Sequence, residues 1–239
     1  MIRNLLFPRR CPGCNELLSE NEMEKGFCKE CRSLIKRAEG HICEKCGRLL
    51  ITPGGTLCDE CRSRPHSFDE ARALYIYDEP LKSAMYRFKY SNMRGYIESF
   101  MDEGYHRIAP WIEHIAPDVI VPVPMYKAKE RKRGYNQADV IGKALSGRSG
   151  IPFKKDLIIR EKNTIPQKGL SPEERRNNLK NAFKTGASVV QLSRILIVDD
   201  ILTTGVTADM MSSLLKEAGA EKVFCFSICT GRAVESPED

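Results

Sequence analysis

The sequence predicts an α/β domain built on a mainly parallel sheet, preceded by a small metal-holding module. Three observations carry that reading. From about residue 70 onward, short apolar runs rich in β-branched residues alternate with stretches of helical periodicity. The first 65 residues lack long apolar runs and hold eight of the ten cysteines, arranged as four Cys-x-x-Cys pairs. Arg62 to Ser67 reads as a short linker between the two regions. The expected division is residues 1–66 for the module and 67–239 for the α/β domain.

The elements of the larger domain follow in order. Ala71–Tyr77 reads as a strand, and Leu81–Tyr90 as a helix with Leu81, Met85 and Phe88 at helical spacing. A second helix is expected over Tyr96–Ile108, ending near Pro110. Val119–Val123 is a β-branched run typical of a buried strand, its end marked by Pro122 and Pro124. Asn136–Leu145 follows as a helix. Residues 160–181 are polar and charged, with Gly169 and Pro172 inside, and read as a long mobile loop followed by a short basic helix. Ile195–Val198 is an apolar strand. A helix is expected from about Thr207 to Glu217, with Met210, Met211, Leu214 and Leu215 on one side and Gly219 as its stop. Val223–Cys229 is a further buried strand, which makes Cys225 and Cys229 core residues.

Composition narrows the class. With 239 residues, 41% hydrophobic and 29% charged, the chain suits a soluble globular protein. No stretch approaches the roughly 20 apolar residues that span a bilayer, and Met1 to Arg10 is too short and interrupted for a signal peptide. The expectation is a cytoplasmic protein without membrane insertion. The net charge of +6 is unevenly spread. Residues 127–185 carry 16 Lys and Arg against 6 Asp and Glu, a local excess of +10. That excess suits an anionic partner, a polyphosphate or a nucleic acid.

In a reducing compartment, closely paired cysteines hold metal more often than they bridge. Zinc takes four thiolates in tetrahedral geometry, and one Cys-x-x-Cys knuckle supplies two of them. Four knuckles therefore supply two closed, structural sites. The segment Cys11-Pro-Gly-Cys14 with Cys28-Lys-Glu-Cys31 is echoed by Cys43-Glu-Lys-Cys46 with Cys58-Asp-Glu-Cys61. The repeat favours sequential sites, Cys11, Cys14, Cys28 and Cys31 in one and Cys43, Cys46, Cys58 and Cys61 in the other. The alternative is a crossed pairing. His41 is read as a bystander.

The most informative stretch is Ile195-Leu-Ile-Val-Asp-Asp-Ile-Leu-Thr-Thr-Gly-Val-Thr207. An apolar strand ends in two carboxylates, and a turn rich in small hydroxyl residues then opens a helix. N–H groups at that helix start suit an anion, assisted by the helix dipole. Gly205 lets backbone approach a phosphate, and Thr203, Thr204 and Thr207 add hydroxyl donors. Asp199 and Asp200 repel phosphate but suit the vicinal hydroxyls of a ribose. The loop lacks the Gly-Lys-Ser/Thr ending of the nucleotide P-loop. Further upstream, Val121-Pro-Val-Pro124 runs into Arg131-Lys-Arg-Gly-Tyr-Asn-Gln137. Arg131 and Arg133 are candidates to bind pyrophosphate oxygens.

The stretch from Ile195 to Thr207 closely resembles the PRPP (5-phosphoribosyl 1-pyrophosphate) motif of type I phosphoribosyltransferases. With the segment 121–137, with Thr164, Gln167, Leu170, Arg175, Asn178 and Phe183 at their characteristic gaps, and with the cysteine-rich N-terminus, the chain resembles the ComF branch of that superfamily, the ComFC and GntX-like proteins. The resemblance implies a type I phosphoribosyltransferase fold behind a double zinc ribbon. It implies that Asp199 and Asp200 hold the ribose, and that Thr203, Thr204, Gly205, Val206 (through its backbone) and Thr207 hold the 5′-phosphate. Mg2+ accompanies the pyrophosphate. Lys89 matches a lysine of the family pattern, and Thr164 and Arg175 lie on the loop expected to close over the ligand.

The leading expectation is a PRPP- and Mg2+-binding protein, catalytic through Asp199, Asp200 and Arg133, that transfers ribosyl phosphate to an acceptor the sequence does not name. The ComF resemblance adds a role in competence, the uptake of DNA in natural transformation. Two alternatives stand beside it. One is a non-catalytic module that binds single-stranded DNA and works with a DNA helicase. The other is a regulator that senses PRPP. The aromatic residues Tyr75, Tyr77, Tyr86, Phe88 and Tyr90 read as core, with base stacking as the alternative.

Overall fold

The computed structural model of the chain describes residues 8–50, 54–161, 174, 182–186 and 192–231. Among its described residues the cysteine-rich region contains three short helices, α1 (Glu20–Met23), α2 (Lys29–Leu34) and α3 (Asp59–Ser63). The larger domain follows as β1 (Glu70–Ile76), α4 (Leu81–Tyr90), α5 (Tyr96–Ile115), β2 (Val119–Pro122), α6 (Lys127–Arg133), α7 (Gln137–Ser149), β3 (Ile158–Arg160), β4 (Phe183–Thr185), β5 (Arg194–Leu202), α8 (Val206–Glu217) and β6 (Lys222–Thr230).

Four strands form one sheet in the order β1-β6-β5-β2, with every pairing parallel. Parallel strands covered on both faces need apolar residues throughout, and β2 and β6 are buried along almost their whole length. Cys225 and Cys229 lie in this core, where burial pushes both thiols up. A second, antiparallel pair joins β3 to β4. The loop and basic helix expected over residues 160–181 lie outside the described residues, except Arg160, Glu161 and Glu174.

Three expectations need correction. The helix expected to stop near Pro110 runs on to Ile115. Proline withholds one hydrogen bond, from the carbonyl four residues back. Here that carbonyl belongs to exposed His106, and Pro110 is itself exposed, so water can serve the orphaned oxygen. The strand expected to end at Val198 continues through both aspartates to Leu202, paired with β6 up to Thr230. Finally, the Lys127–Arg133 segment, which carried no expected element, is a helix.

The cysteine-rich region packs against the larger domain and shares its core. Phe27 is fully buried, with ring centroids 6.0 Å from both Tyr75 of β1 and Phe100 of α5. Leu18 and Ile35 join the same apolar cluster. A polar network reinforces the joint. The buried Glu103 of α5 accepts from the Tyr75 hydroxyl at 2.6 Å, and it pairs with Arg37 at 2.7 Å and Arg107 at 3.0 Å. Burial raises its carboxyl, but the two guanidiniums and the Tyr75 hydroxyl together hold it below the usual glutamate range. The stabilisation is therefore present above the unfolded-state value near 4.5 and is lost as pH falls through the lower folded-state value. Glu103→Ala leaves two arginines facing a buried gap. It is expected to cost about 3 kcal/mol, the lower end for breaking a buried pair because both arginines are partly exposed. Urea unfolding at pH 7 measures it, and a cost below roughly 1 kcal/mol would show that the network is incidental to stability.

Candidate functional site

Ligands of open parallel sheets bind beyond the carboxyl ends of the strands. In this chain β5 delivers Asp199 and Asp200 to that end. Because both stay inside the strand, consecutive side chains leave opposite faces of the sheet. Asp200 pairs with Lys89 of α4 at 2.8 Å. Asp199 lies in the field of Arg160 from β3, and its Oδ1 accepts the Asp200 N–H at 2.8 Å. Burial, and then the charge of Asp200, push the Asp199 carboxyl up to about 7. Burial would lower the Lys89 ammonium, but the carboxylates, Asp200 foremost, outweigh it and raise it.

After Leu202 the chain turns through Thr203 and Thr204 to Gly205, whose φ of 72° puts it in the left-handed region. Gly205 is the N-cap of α8 and has no side chain with which to cap the first turn. The leading N–H groups of a helix have no intrahelical partner, so this turn offers donors to an anion. The turn, both aspartates and Lys89 line one cavity of about 770 Å3, within the range of small-molecule sites. Arg133 and Lys129 reach the cavity from α6 and Arg160 from β3. Gln137, at the start of α7, is buried and lines the same space. Its Oε1 accepts from Arg133 at 2.6 Å, while its Nε2 has no hydrogen-bond partner among the described residues. An orphaned amide donor beside Arg133 suits an anionic, oxygen-rich ligand. Asn136 places it, capping the Ala138 N–H while donating to the Val123 carbonyl at 3.0 Å.

The eight N-terminal cysteines gather into two clusters, Cys11, Cys14, Cys28 and Cys31, and Cys43, Cys46, Cys58 and Cys61. This is the sequential arrangement. In each cluster the sulfurs lie within 4.8 Å of one another. Cys14 and Cys28 Sγ are 3.8 Å apart, and Cys46 and Cys58 Sγ 3.7 Å. A zinc tetrahedron with bonds of roughly 2.3 Å has an edge of about 3.8 Å, whereas a disulfide needs about 2.05 Å. The N–H groups of Cys28 and Cys58 point at Cys11 and Cys43 Sγ at 3.5 and 3.4 Å, as thiolate ligands need. The donor set fits zinc in both clusters. His41 belongs to neither and meets the Gly55 carbonyl at 2.9 Å.

Two stretches of the chain match family models. Residues 2–62 match the model of the double zinc ribbon domain, and residues 128–239 that of the phosphoribosyl transferase domain. Competence protein F of Haemophilus influenzae is 35% identical over 167 residues, covering 66% of this chain and 71% of that protein. The chain belongs to the competence protein F/ComFC family. Competence protein ComFC of Bacillus subtilis is 29% identical over 86% of this chain and 84% of its own length. DNA utilization protein YhgH of Escherichia coli O157:H7 is 37% identical over 47% of this chain and 49% of that protein.

Of the site residues expected from the sequence, this ComF-family chain brings Asp199, Asp200, Thr203, Thr204, Gly205, Val206, Thr207, Lys89 and Arg133 to one cavity. Arg131 is exposed on α6 and is not among the residues lining it. Thr164 and Arg175 lie outside the described residues. Sequence reasoning missed Arg160, Lys129 and the orphaned amide of Gln137. No local pattern marks a lone arginine at the end of a three-residue strand. Gln137 stood in a motif already singled out, and only its burial reveals its part. The aromatic residues divide. Tyr75 and Phe88 are core, as expected. Tyr86 and Tyr90 are 63% and 62% exposed, line the cavity, and pair with ring centroids 5.1 Å apart. Arg133 sits over the Tyr90 ring at 5.0 Å.

Proposed function

We propose that this ComF-family protein binds PRPP with Mg2+ in the cavity at the carboxyl end of its sheet and acts in the cytoplasm on DNA taken up in competence. The observation that carries the reading is the convergence of two strand-borne carboxylates, a helix-opening hydroxyl turn and four cations, Lys89, Lys129, Arg133 and Arg160, on one cavity. Asp199 and Asp200 would accept from the ribose hydroxyls, and the turn from Thr203 to Thr207 would hold the 5′-phosphate. The cations and the Gln137 amide would face the pyrophosphate, whose charge Mg2+ would help to neutralise. Transfer of the ribosyl phosphate needs no protein nucleophile. It needs an electrostatic site that stabilises the departing pyrophosphate, which these residues are equipped to supply. The competence role rests on the family membership and on the names its relatives carry.

One observation favours a second reading. The exposed Tyr86–Tyr90 pair stands beside Arg133 and the basic helix α6, and aromatic rings flanked by cations are how many proteins hold single-stranded nucleic acid. Calorimetric titration separates the two. PRPP is expected to bind saturably and only with Mg2+ present, with little dependence on added salt. If PRPP gives no heat while a short single-stranded DNA binds with a steep salt dependence, the cavity is a DNA-handling surface and the ribosyl-phosphate reading is wrong.

A further inference from the structure

We propose that Arg48, within the second four-cysteine cluster, is a positioning residue for the turn that opens α8, so that the integrity of that cluster sets the shape of the cavity 155 residues away in sequence. Arg48 follows Cys46 and Gly47 and is 7% exposed. Its Nη1 donates to Glu60, and its Nη2 donates to the backbone carbonyl of Thr203. Glu60 lies on α3 between Cys58 and Cys61. Arg48 is thus held by both cysteine pairs of the cluster and delivered as a buried charged donor to the cavity turn.

Pinning the Thr203 carbonyl does more than add a bond. The Thr203 oxygen and the Thr204 N–H belong to one trans peptide plane and point in opposite directions. Fixing the first fixes the second, in a turn whose residues line the cavity.

Neighbouring contacts prevent the knuckle and the turn from sliding past one another. Gly47 has φ 71°, and a Cβ there would come within 2.6 Å of the Ala71 carbonyl, so the knuckle lies directly against β1. The Ala71 N–H donates to the Lys45 carbonyl at 2.8 Å. Just beyond α3, His66 packs under the turn, where a Cβ on Gly205 would meet its Cε1 at 2.8 Å. That contact, together with the positive φ, requires glycine at 205 even without a ligand. His66 Nδ1 and the Ser67 N–H both meet the Asp209 carboxylate in the first turn of α8 at 2.8 Å. Thr203, Gly205 and Asp209 therefore all rest on residues between 48 and 67. A metal ion joining the two cysteine pairs would hold Arg48 and Glu60 in register.

The consequence for ligand affinity rests on the PRPP reading, but the positioning role does not, and the test separates them. In the zinc-loaded full chain without ligand, Arg48→Met should keep two zinc ions and raise amide hydrogen exchange at residues 201–208 at least tenfold. PRPP affinity should fall about tenfold. Arg48→Lys, with one donor left, should recover part of both changes. Arg62→Ala, which removes the surface pair with Asp59 beside the same cluster, should change neither. If Arg48→Met loses its metal, Glu60→Gln decides, since it keeps the arginine and should shift exchange in the same direction by less. Unchanged exchange at 201–208 in the zinc-loaded Arg48→Met protein, or in Glu60→Gln where that substitutes for it, overturns the proposal. Raised exchange alongside a wild-type protein that ignores PRPP would instead overturn the ligand reading and leave the positioning role standing.

Discussion

At pH 8, Asp199→Asn should lose about a hundredfold in affinity for PRPP with Mg2+ and at the same time raise the melting temperature of the free protein. The two effects have one cause. A recessed carboxylate beside Asp200 is poorly solvated, which is why its carboxyl stands at about 7 instead of 3.8. The sign follows from linkage. The folded state keeps a proton that the unfolded state has already lost, so folding is penalised by an amount that begins near pH 4 and grows until about pH 7. Asparagine removes that penalty. The gain in melting temperature should therefore be larger at pH 8 than at pH 5 and vanish toward pH 4. Binding responds the other way, because a hydrogen bond to a charged acceptor contributes roughly 1.5–3 kcal/mol and a buried amide cannot replace it. Wild-type affinity should also climb between pH 6 and pH 8, while that of Asp199→Asn stays flat. Replacing both aspartates should abolish binding, but Asp200→Asn strips Lys89 of its partner, so the double variant should lack the full stabilisation. Calorimetry and thermal melts across pH read all of this. Unchanged PRPP affinity in Asp199→Asn would remove the ribose assignment.

Losing one zinc site should be the most damaging single change to stability. Cys28→Ser is expected to reduce the metal content from two zinc ions per chain to one and to lower the melting temperature by more than about 10 °C. Structural zinc contributes on the order of 10–16 kcal/mol in isolated zinc fingers. A part of that suffices here, because 1 kcal/mol is worth roughly 2–4 °C in a domain of this size. The damage should spread beyond the ribbon. Phe27, one residue away, is buried against Tyr75 and Phe100. The carbonyls of Pro12 and Gly13, in the first knuckle, accept from Arg87, which shares α4 with Lys89. Circular dichroism melts and elemental analysis of Cys28→Ser, with Cys225→Ser as the comparator that keeps both ions, check the expectation. Full metal content in Cys28→Ser would refute the four-thiolate site.

Much of this could be read before any coordinates, where the signal is local. Leu81–Tyr90 was legible to the residue because its apolar positions recur at helical spacing between a proline and a polar break. The cysteine clusters were legible because a knuckle of four residues is its own geometry. The errors came where a local rule met a distant partner. Two adjacent aspartates look like the end of a strand, yet β5 continues through them because β6 pairs with it there and Lys89 offsets the charge. Pro110 looks like a helix stop, yet α5 continues with both Pro110 and His106, whose carbonyl loses its partner, on the exposed side of the helix. Arg160 and Gln137 acquire meaning only from the cavity they reach.

By itself, then, the sequence determined the two kinds of architecture, the eight metal-ligand candidates and the order of carboxylates, turn and helix around the candidate site, because each is written in spacings of a few residues. Only the tertiary structure decided which cations surround that site, that the ribbons share its core, and that residues 48 and 66 bear on the turn at 203–205. Those are contacts between distant segments. They exist only once apolar burial has brought the segments together, and no local spacing encodes them.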